Sequence, residues 1–214
     1  MLTLTQPSYV DPSALIEREL KTCSRAYVGR DVDGKLLCFY LTEWHELEID
    51  GKRTPAVYLG LSATTQQTKN TGLVAALYAE ALKEITEEQE RRSTLYLLWS
   101  TTASPTIFLA MSIFLEQVEP SVAGAFSESG LKAVAAIRRY RKLSPIRAGE
   151  HPFVLRGVAE RTLYSSDEIL RIEKIKKRKS FTLFDDINVH EAMSDRLLVV
   201  ARTPKKTVGS KGAR

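Results

Sequence analysis

The first half of the chain contains two Asp-Gly dipeptides, Asp33-Gly34 and Asp50-Gly51, each between β-forming runs. Asp-Gly between apolar runs favours a tight turn that joins antiparallel strands. The pattern predicts a three-stranded meander with the strands A-Y-V-G-R-D, L-L-C-F-Y-L-T-E-W-H-E-L-E-I and T-P-A-V-Y-L-G-L-S-A-T. The middle strand is apolar on both faces in its first half, which indicates a central place in the sheet.

Helical periodicity follows the meander. Apolar residues recur at helical spacing from about Thr71 to Arg91, and the run T-L-Y-L-L-W-S-T then leads into a helix opened by Ser104-Pro105, with serine as the cap. Further helices are predicted near 11–23, 127–142 and 166–179, and further strands near 153–158 and 196–202. This order predicts an α/β (α+β) fold with a mixed, mostly antiparallel central sheet flanked by helices.

Composition excludes several classes of protein. With 214 residues and a hydrophobic fraction of 43%, the chain can bury a core without disulfides or metals. No run of 18 apolar residues occurs, and the N-terminus lacks a basic region followed by an apolar one, so we expect no membrane span, no signal peptide and a cytoplasmic protein. Cys23 and Cys38 are expected to be buried free thiols, and three scattered histidines predict no metal site.

The formal net charge of +5 is unevenly distributed. Basic clusters lie at 138–142, at 174–179 and in the tail 204–214. One interpretation is a polyanionic partner such as a nucleic acid. The other, which we favour, is solvated helix faces and a disordered tail. The repeated alternation of aromatic and basic residues that is typical of single-strand binders is not evident, so a nucleic-acid partner ranks last.

A polar turn, T-T-Q-Q-T-K-N-T-G, precedes the helix that starts near Thr71. Backbone N–H groups at the start of a helix form a ready anion site, and Lys69 adds a positive charge. The turn lacks the glycines and the lysine context of nucleotide-binding fingerprints. From these residues alone, it is either a phosphate site or a plain connection between a strand and a helix.

The hairpin strands, the buried strand containing Gly60, this turn and the strand-helix unit after it together resemble the GNAT superfamily of acyl-CoA-dependent N-acyltransferases. The family's turn motif is Gln or Arg, two residues, Gly, one residue, then Gly or Ala. Gln67 and Gly72 match this motif, and Asn70 replaces the middle glycine. Asparagine tolerates a left-handed backbone well, so the replacement is physically mild.

The resemblance implies a single GNAT-like domain over 1–203 with a helical insertion at about 123–183, followed by a disordered basic tail at 204–214. It also implies that acetyl-CoA or another acyl-CoA binds. The backbone of Leu61 and Ala63 would line the pantetheine arm. The residues assigned to the pyrophosphate are Gln67, Thr68, Lys69, Asn70, Thr71, Gly72 and Leu73.

The catalytic groups are less clearly marked. The family's base is often a glutamate on the pantetheine strand, but Ala56 to Thr64 contains no acidic residue. The nearest candidates are Glu43, His45 and Glu46 on the preceding strand, of which Glu43 and His45 are assigned to the site. The register of the family's tyrosine acid holds Met111. The remaining candidates are Tyr96, on the strand beside the expected acyl cleft, and Ser104, in the cap register.

The implied function is transfer of an acyl group from CoA to an unidentified primary amine, on a small molecule or a protein. The alternative is a non-catalytic binding or regulatory module of the same fold. The insertion either shapes the acceptor pocket or forms a homodimer contact.

Overall fold

The computed structural model describes residues 1–179 and 181–204. In this part of the chain the helices are α1 (Leu2–Thr5), α2 (Pro12–Thr22), α3 (Leu73–Arg92), α4 (Pro105–Phe114), α5 (Glu128–Tyr140), α6 (Ser166–Lys179) and α7 (Leu183–Asp186). The strands are β1 (Arg25–Arg30), β2 (Leu36–Ile49), β3 (Lys52–Thr64), β4 (Leu97–Thr102), β5 (Leu115–Glu116), β6 (Val154–Leu155), β7 (Arg196–Ala201) and β8 (Thr203–Pro204).

The main sheet has the strand order β1-β2-β3-β4-β7-β6. Every neighbouring pair in it is antiparallel except β3 with β4, which is parallel. The predicted fold class, a mixed and mostly antiparallel sheet flanked by helices, is therefore confirmed. The predicted meander is formed by β1, β2 and β3, and Asp50 and Gly51 both take positive φ in the tight turn between β2 and β3.

A β-bulge interrupts the pairing of β2 with β3. Tyr40 pairs with Ser62 and Thr42 pairs with Leu59, so two residues of β3 oppose one residue of β2 at this point. Gly60 is one of the two. A Cβ on Gly60 would lie 3.0 Å from the backbone oxygen of Leu41, so the close approach of the two strands requires glycine here.

Helices cover both faces of the sheet. On one face, α3 contributes Tyr78, whose ring packs 5.5 Å from that of Tyr40 on β2. On the other face, α1 and α2 pack Leu4 and Ile16 against Phe39. Helix α5 lies on this second face as well. None of the helices in the described part of the chain combines the length with the apolar composition that crossing a bilayer requires.

The segment 123–183 contains α5, β6 and α6. At the end of the described chain, β8 pairs with β5, which places Pro204 beside Leu115. Residues 205–214, the rest of the tail expected to be disordered, lie outside the described residues. Both cysteines are free: Cys38 is buried, and Cys23 is half-buried, where burial raises the pKa of its thiol to about 12.

Candidate functional site

A cleft of about 420 Å³ opens where β3 and β4 part from each other. The two strands are paired over three residues only, from Ala56 with Leu97 to Tyr58 with Trp99. Just beyond the last pair, the Ser100 hydroxyl donates a 2.6 Å hydrogen bond to the Leu59 carbonyl. The cleft has the size of an ordinary small-molecule site.

Beyond Leu59, the edge of β3 that faces β4 has no strand partner among the described residues. Its residues from Gly60 to Thr64 line the cleft, which brings the predicted Leu61 and Ala63 into its wall. A strand edge of this kind presents backbone donors and acceptors in a row. From Tyr58 to Thr64 it extends over roughly 20 Å, which suits a long, narrow ligand with amide groups.

The polar turn before α3 forms another part of the cleft wall, through Lys69 and Asn70. Asn70 adopts φ of 69° and Gly72 adopts φ of 88°, so both glycine positions of the motif have a left-handed backbone. Gly72 caps α3 without any side-chain hydrogen bond, and the first turn of α3 carries no acidic residue. The first amides of α3, beginning at Leu73, therefore have no partner within the helix, and the positive end of its dipole is uncompensated.

Side chains of α6 hold the outer side of this turn. Lys69 Nζ lies 2.8 Å from Glu168 Oε1, and the Arg171 guanidinium donates to the Asn70 side-chain oxygen. Glu168 also accepts from the backbone and hydroxyl of Ser165, at 2.9 and 2.8 Å, at the start of α6. The charge of Lys69 is thus already paired, and the anion-binding capacity of the turn comes from its backbone amides.

The other residues of the motif differ in their exposure. Gln67 and Thr71 are exposed, and Thr71 donates its hydroxyl to the Thr68 carbonyl at 2.7 Å. The Thr68 hydroxyl lies 2.7 Å from that of Thr64 and 2.6 Å from that of Thr65. These hydroxyl contacts fix the path of the chain between β3 and the turn.

The N-terminal segment forms part of the cleft wall through Ser8 and Tyr9. Val10 N–H donates to the Arg161 carbonyl at 3.1 Å, and Leu163 N–H donates to the Ser8 carbonyl at 2.8 Å. This antiparallel bridge brings Tyr9 to the cleft wall, where burial raises the pKa of its phenol to about 12. The phenol of Tyr9 consequently keeps its proton at neutral pH.

Glu19 of α2 is the functional candidate that sequence reasoning missed. It lines the cleft and is only 7% exposed. Burial raises the pKa of its carboxyl, an effect that Arg18 and Arg141 oppose. A buried carboxyl with a raised pKa in a cleft is a typical general base.

A signal for Glu19 was present in the sequence. It lies four residues after Leu15 and three after Ile16, on the apolar stripe of α2. The apolar neighbour Leu20 is 51% exposed, so Glu19 and not Leu20 continues the buried side of α2. A glutamate that falls on the apolar stripe of a helix is therefore a sign of a buried carboxyl, and the helical periodicity of α2 contained that sign.

Glu43 and His45 lie behind the cleft in a buried cluster. The Glu43 carboxylate accepts hydrogen bonds from the Tyr140 hydroxyl and the Arg141 guanidinium. His45 Nε2 accepts from Trp99 Nε1 at 3.3 Å, and His45 Nδ1 lies 3.3 Å from the Glu43 carbonyl. Burial lowers the pKa of His45, and both of its ring nitrogens have protein partners.

Tyr96 and Ser104 occupy separate places. Tyr96 precedes β4 at the end away from the cleft, and its ring packs edge-on against Trp44 at 5.5 Å. Ser104 lines the cleft and precedes α4, but its side chain makes no capping hydrogen bond, contrary to expectation. Its backbone N–H instead donates to the Thr102 hydroxyl at 2.9 Å, so Thr102 closes this turn.

The basic cluster at 138–142 is divided: Arg139 and Lys142 are exposed, whereas Arg138 is buried and Arg141 is half-buried. Arg138 is 9% exposed and donates to the Ser144 and Val154 carbonyls at 2.7 and 2.6 Å. The Arg141 guanidinium stacks over Tyr58, 4.8 Å from the ring centroid. Interior carbonyls and a buried carboxylate need donors, and these arginines supply them.

Replacing Arg141 with methionine is expected to lower the free energy of unfolding by about 3 kcal/mol, because the Glu43 carboxylate would stay buried without its charge partner. The double variant with Glu43→Gln should recover part of this loss. Arg139→Met, on the same turn of α5 but exposed, is the control, with a change within about 1 kcal/mol. Urea unfolding measures all three, and equal losses for the two single variants would contradict the assignment.

No protein-family model matches the sequence, and no curated protein does. Solved structures resemble part of the chain. YhbS from Escherichia coli in complex with CoA, described as a GNAT family N-acetyltransferase, is 16% identical with a TM-score of 0.39, over 50% of this chain and 58% of its own. A variant of the toxin AtaT, bound to the C-terminus of the antitoxin AtaR and acetyl-CoA, is 20% identical with a TM-score of 0.39, over 50% of this chain and 69% of its own.

A third structure, AtaT complexed with acetyl-methionyl-tRNAfMet, is 17% identical with a TM-score of 0.38, over 47% of this chain and 67% of its own. The matched structures thus include GNAT N-acetyltransferases, the superfamily that the sequence resembles. Because each likeness covers about half of this chain, the function proposed below rests on the chain's own cleft.

Proposed function

We propose that the protein is an acyl-CoA-dependent N-acyltransferase, which moves an acyl group from CoA to a primary amine. The observation that carries this proposal is the parting of β3 from β4 after three paired residues. It leaves the edge of β3 open along a cleft that ends at the uncapped N-terminus of α3. An amide-containing arm with a pyrophosphate at one end matches both features.

The residues present fit such a ligand. Of the backbone amides from Thr68 to Leu73, those of Thr68, Lys69 and Thr71 donate to carbonyls of the turn. The amides of Asn70, Gly72 and Leu73 would hold the pyrophosphate, since Lys69 is already paired with Glu168. Thr65 N–H donates to the Leu37 carbonyl and Ala63 pairs with Phe39, so the backbone of Ala63 faces β2. The backbone groups of Ser62, between Leu61 and Ala63, face the cleft and would hydrogen-bond the pantetheine amides. Acyl-CoA, when bound, supplies the acyl group as a thioester that an amine can attack.

Glu19 is assigned the role of general base. Its carboxylate takes a proton from the acceptor ammonium, which leaves the nitrogen lone pair free to attack. Tyr9 lies close enough to Glu19 for the two to interact electrostatically, and its protonated phenol is assigned as donor to the leaving thiolate. Met111, in the register of the family's acid, is 3% exposed in the core and has no proton to give.

The experiment is titration calorimetry of the full chain with acetyl-CoA and longer acyl-CoAs, followed by a thiol-release assay over a panel of primary amines. Binding with turnover is the expected result. Binding without turnover of any amine would support the alternative, a non-catalytic module of this fold. If no acyl-CoA binds, both functions are excluded.

A further inference from the structure

Arg18 of α2 lies beside the assigned base in the wall of the cleft. It lines the cleft, and its side chain is 44% exposed. Its Nε atom lies 3.6 Å from Glu19 Oε1. Among the described residues, no hydrogen bond joins an acceptor to its two terminal nitrogens, and the contact with Glu19 is made through Nε.

The other cations of the cleft are already used by the fold. Lys69 is paired with Glu168, and Arg171 donates to Asn70 at the turn. Arg196 is 6% exposed and donates to the Glu191 carboxylate at 2.9 Å and to backbone carbonyls. Arg18 is thus the cation lining the described cleft whose terminal nitrogens have no protein partner.

We propose that the acceptor is an amine that carries an anionic group close to its nitrogen, and that Arg18 binds this group while Glu19 takes the proton. This inference rests on the proposed function and names its substrate class. A guanidinium fork binds carboxylate or phosphate oxygens in a two-point geometry. The adjacent positions of Arg18 and Glu19 place an anion site and a proton acceptor side by side, as an amine with a nearby oxyanion requires.

Matched pairs of acceptors test the proposal with acetyl-CoA as donor. Alanine is compared with ethylamine, and ethanolamine phosphate with ethanolamine. The anionic member of at least one pair is expected to have a kcat/KM about 10- to 100-fold higher, mainly through KM. The pair that shows the preference tells whether the anion is a carboxylate or a phosphate.

Arg18→Met should abolish the preference, so that the two members of each pair have equal kcat/KM. Because Arg18 also opposes the raised pKa of Glu19, the readout is the ratio of kcat/KM within a pair, in which a change common to both amines cancels. The control is Lys21→Met, on the solvent face of the same helix, where Lys21 pairs with Glu17 at 2.7 Å; it should keep the preference. Equal turnover of both members of each pair by the parent protein, or an unchanged preference in Arg18→Met, would overturn the inference and leave the proposed function standing. Absence of acetyl-CoA binding would instead overturn the proposed function, and this inference with it.

Discussion

Replacing Glu19 with glutamine is expected to lower kcat/KM for acyl transfer by a factor of about 10² to 10⁴, the usual contribution of a general base. Glutamine keeps the size of the side chain and its contacts but cannot accept the proton. In the parent protein, kcat/KM should rise with pH through the raised pKa of Glu19. The variant should not show this rise of kcat/KM with pH. Steady-state kinetics at a series of pH values measures the difference.

The same variant is expected to be more stable than the parent at pH 7. Burial raises the pKa of Glu19, so its contribution to folding is complete below the ordinary glutamate pKa and is lost as the pH rises through the raised value. A neutral glutamine avoids this penalty, and the expected gain is on the order of 1 kcal/mol. Glu19→Gln is thus expected to lose activity and gain stability. A residue with a purely structural role would lose both when it is replaced.

Glu17→Gln is the matched control for both measurements. Glu17 lies on the exposed side of α2 and pairs with Lys21. It should retain parental activity and parental stability, because an exposed ion pair contributes little to folding. If Glu19→Gln retained parental kcat/KM, another group would have to be the base.

Replacing Gly72 with glutamate is expected to weaken acetyl-CoA binding by about 100-fold or more, because it places a negative charge where the pyrophosphate would lie. A Cβ at Gly72 meets no atom within 4 Å, so the side chain itself fits. Its positive φ of 88° adds strain of about 1–2 kcal/mol, some of which a carboxylate at a helix N-terminus offsets. Calorimetric titration gives the change in Kd.

Gly34→Glu controls for the backbone strain. Gly34 has φ of 81° and equally open surroundings, in the turn between β1 and β2. Its variant should lose similar stability and bind acetyl-CoA as the parent does. If the two variants bound acetyl-CoA equally well, the turn before α3 would not be the phosphate site.

Local chemistry made much of the fold predictable from the sequence. The Asp-Gly turns and the apolar runs around them defined the meander, since a tight turn joins neighbours in the chain. The polar turn was predictable down to its backbone, because Asn70 and Gly72 are residue types that tolerate positive φ. Ser127 caps α5 through the Gly130 N–H, again within one turn of helix.

The part of the cleft wall that contains Tyr9 and Glu19 was not predictable, because contacts between residues far apart in the sequence form it. Tyr9 reaches the cleft only by pairing with Thr162. The basic residues at 138–142 form a pattern that is typical of an exposed helix face. Arg141 nevertheless binds the buried Glu43, which lies 98 positions earlier in the chain. Periodicity reports which side of an element is apolar and carries no information about which other element meets it.

The short parallel pairing of β3 with β4 divides the main sheet into two antiparallel halves, joined by three residue pairs. Helix α5 and the residue after it connect these halves on one face. Tyr140 and Arg141 bind Glu43 on β2, while Arg138 binds the Val154 carbonyl on β6. The angle between the halves, and with it the width of the cleft, therefore depends on a helix that contributes no residue to the cleft wall, so a substitution in α5 can change the choice of ligand from behind the sheet.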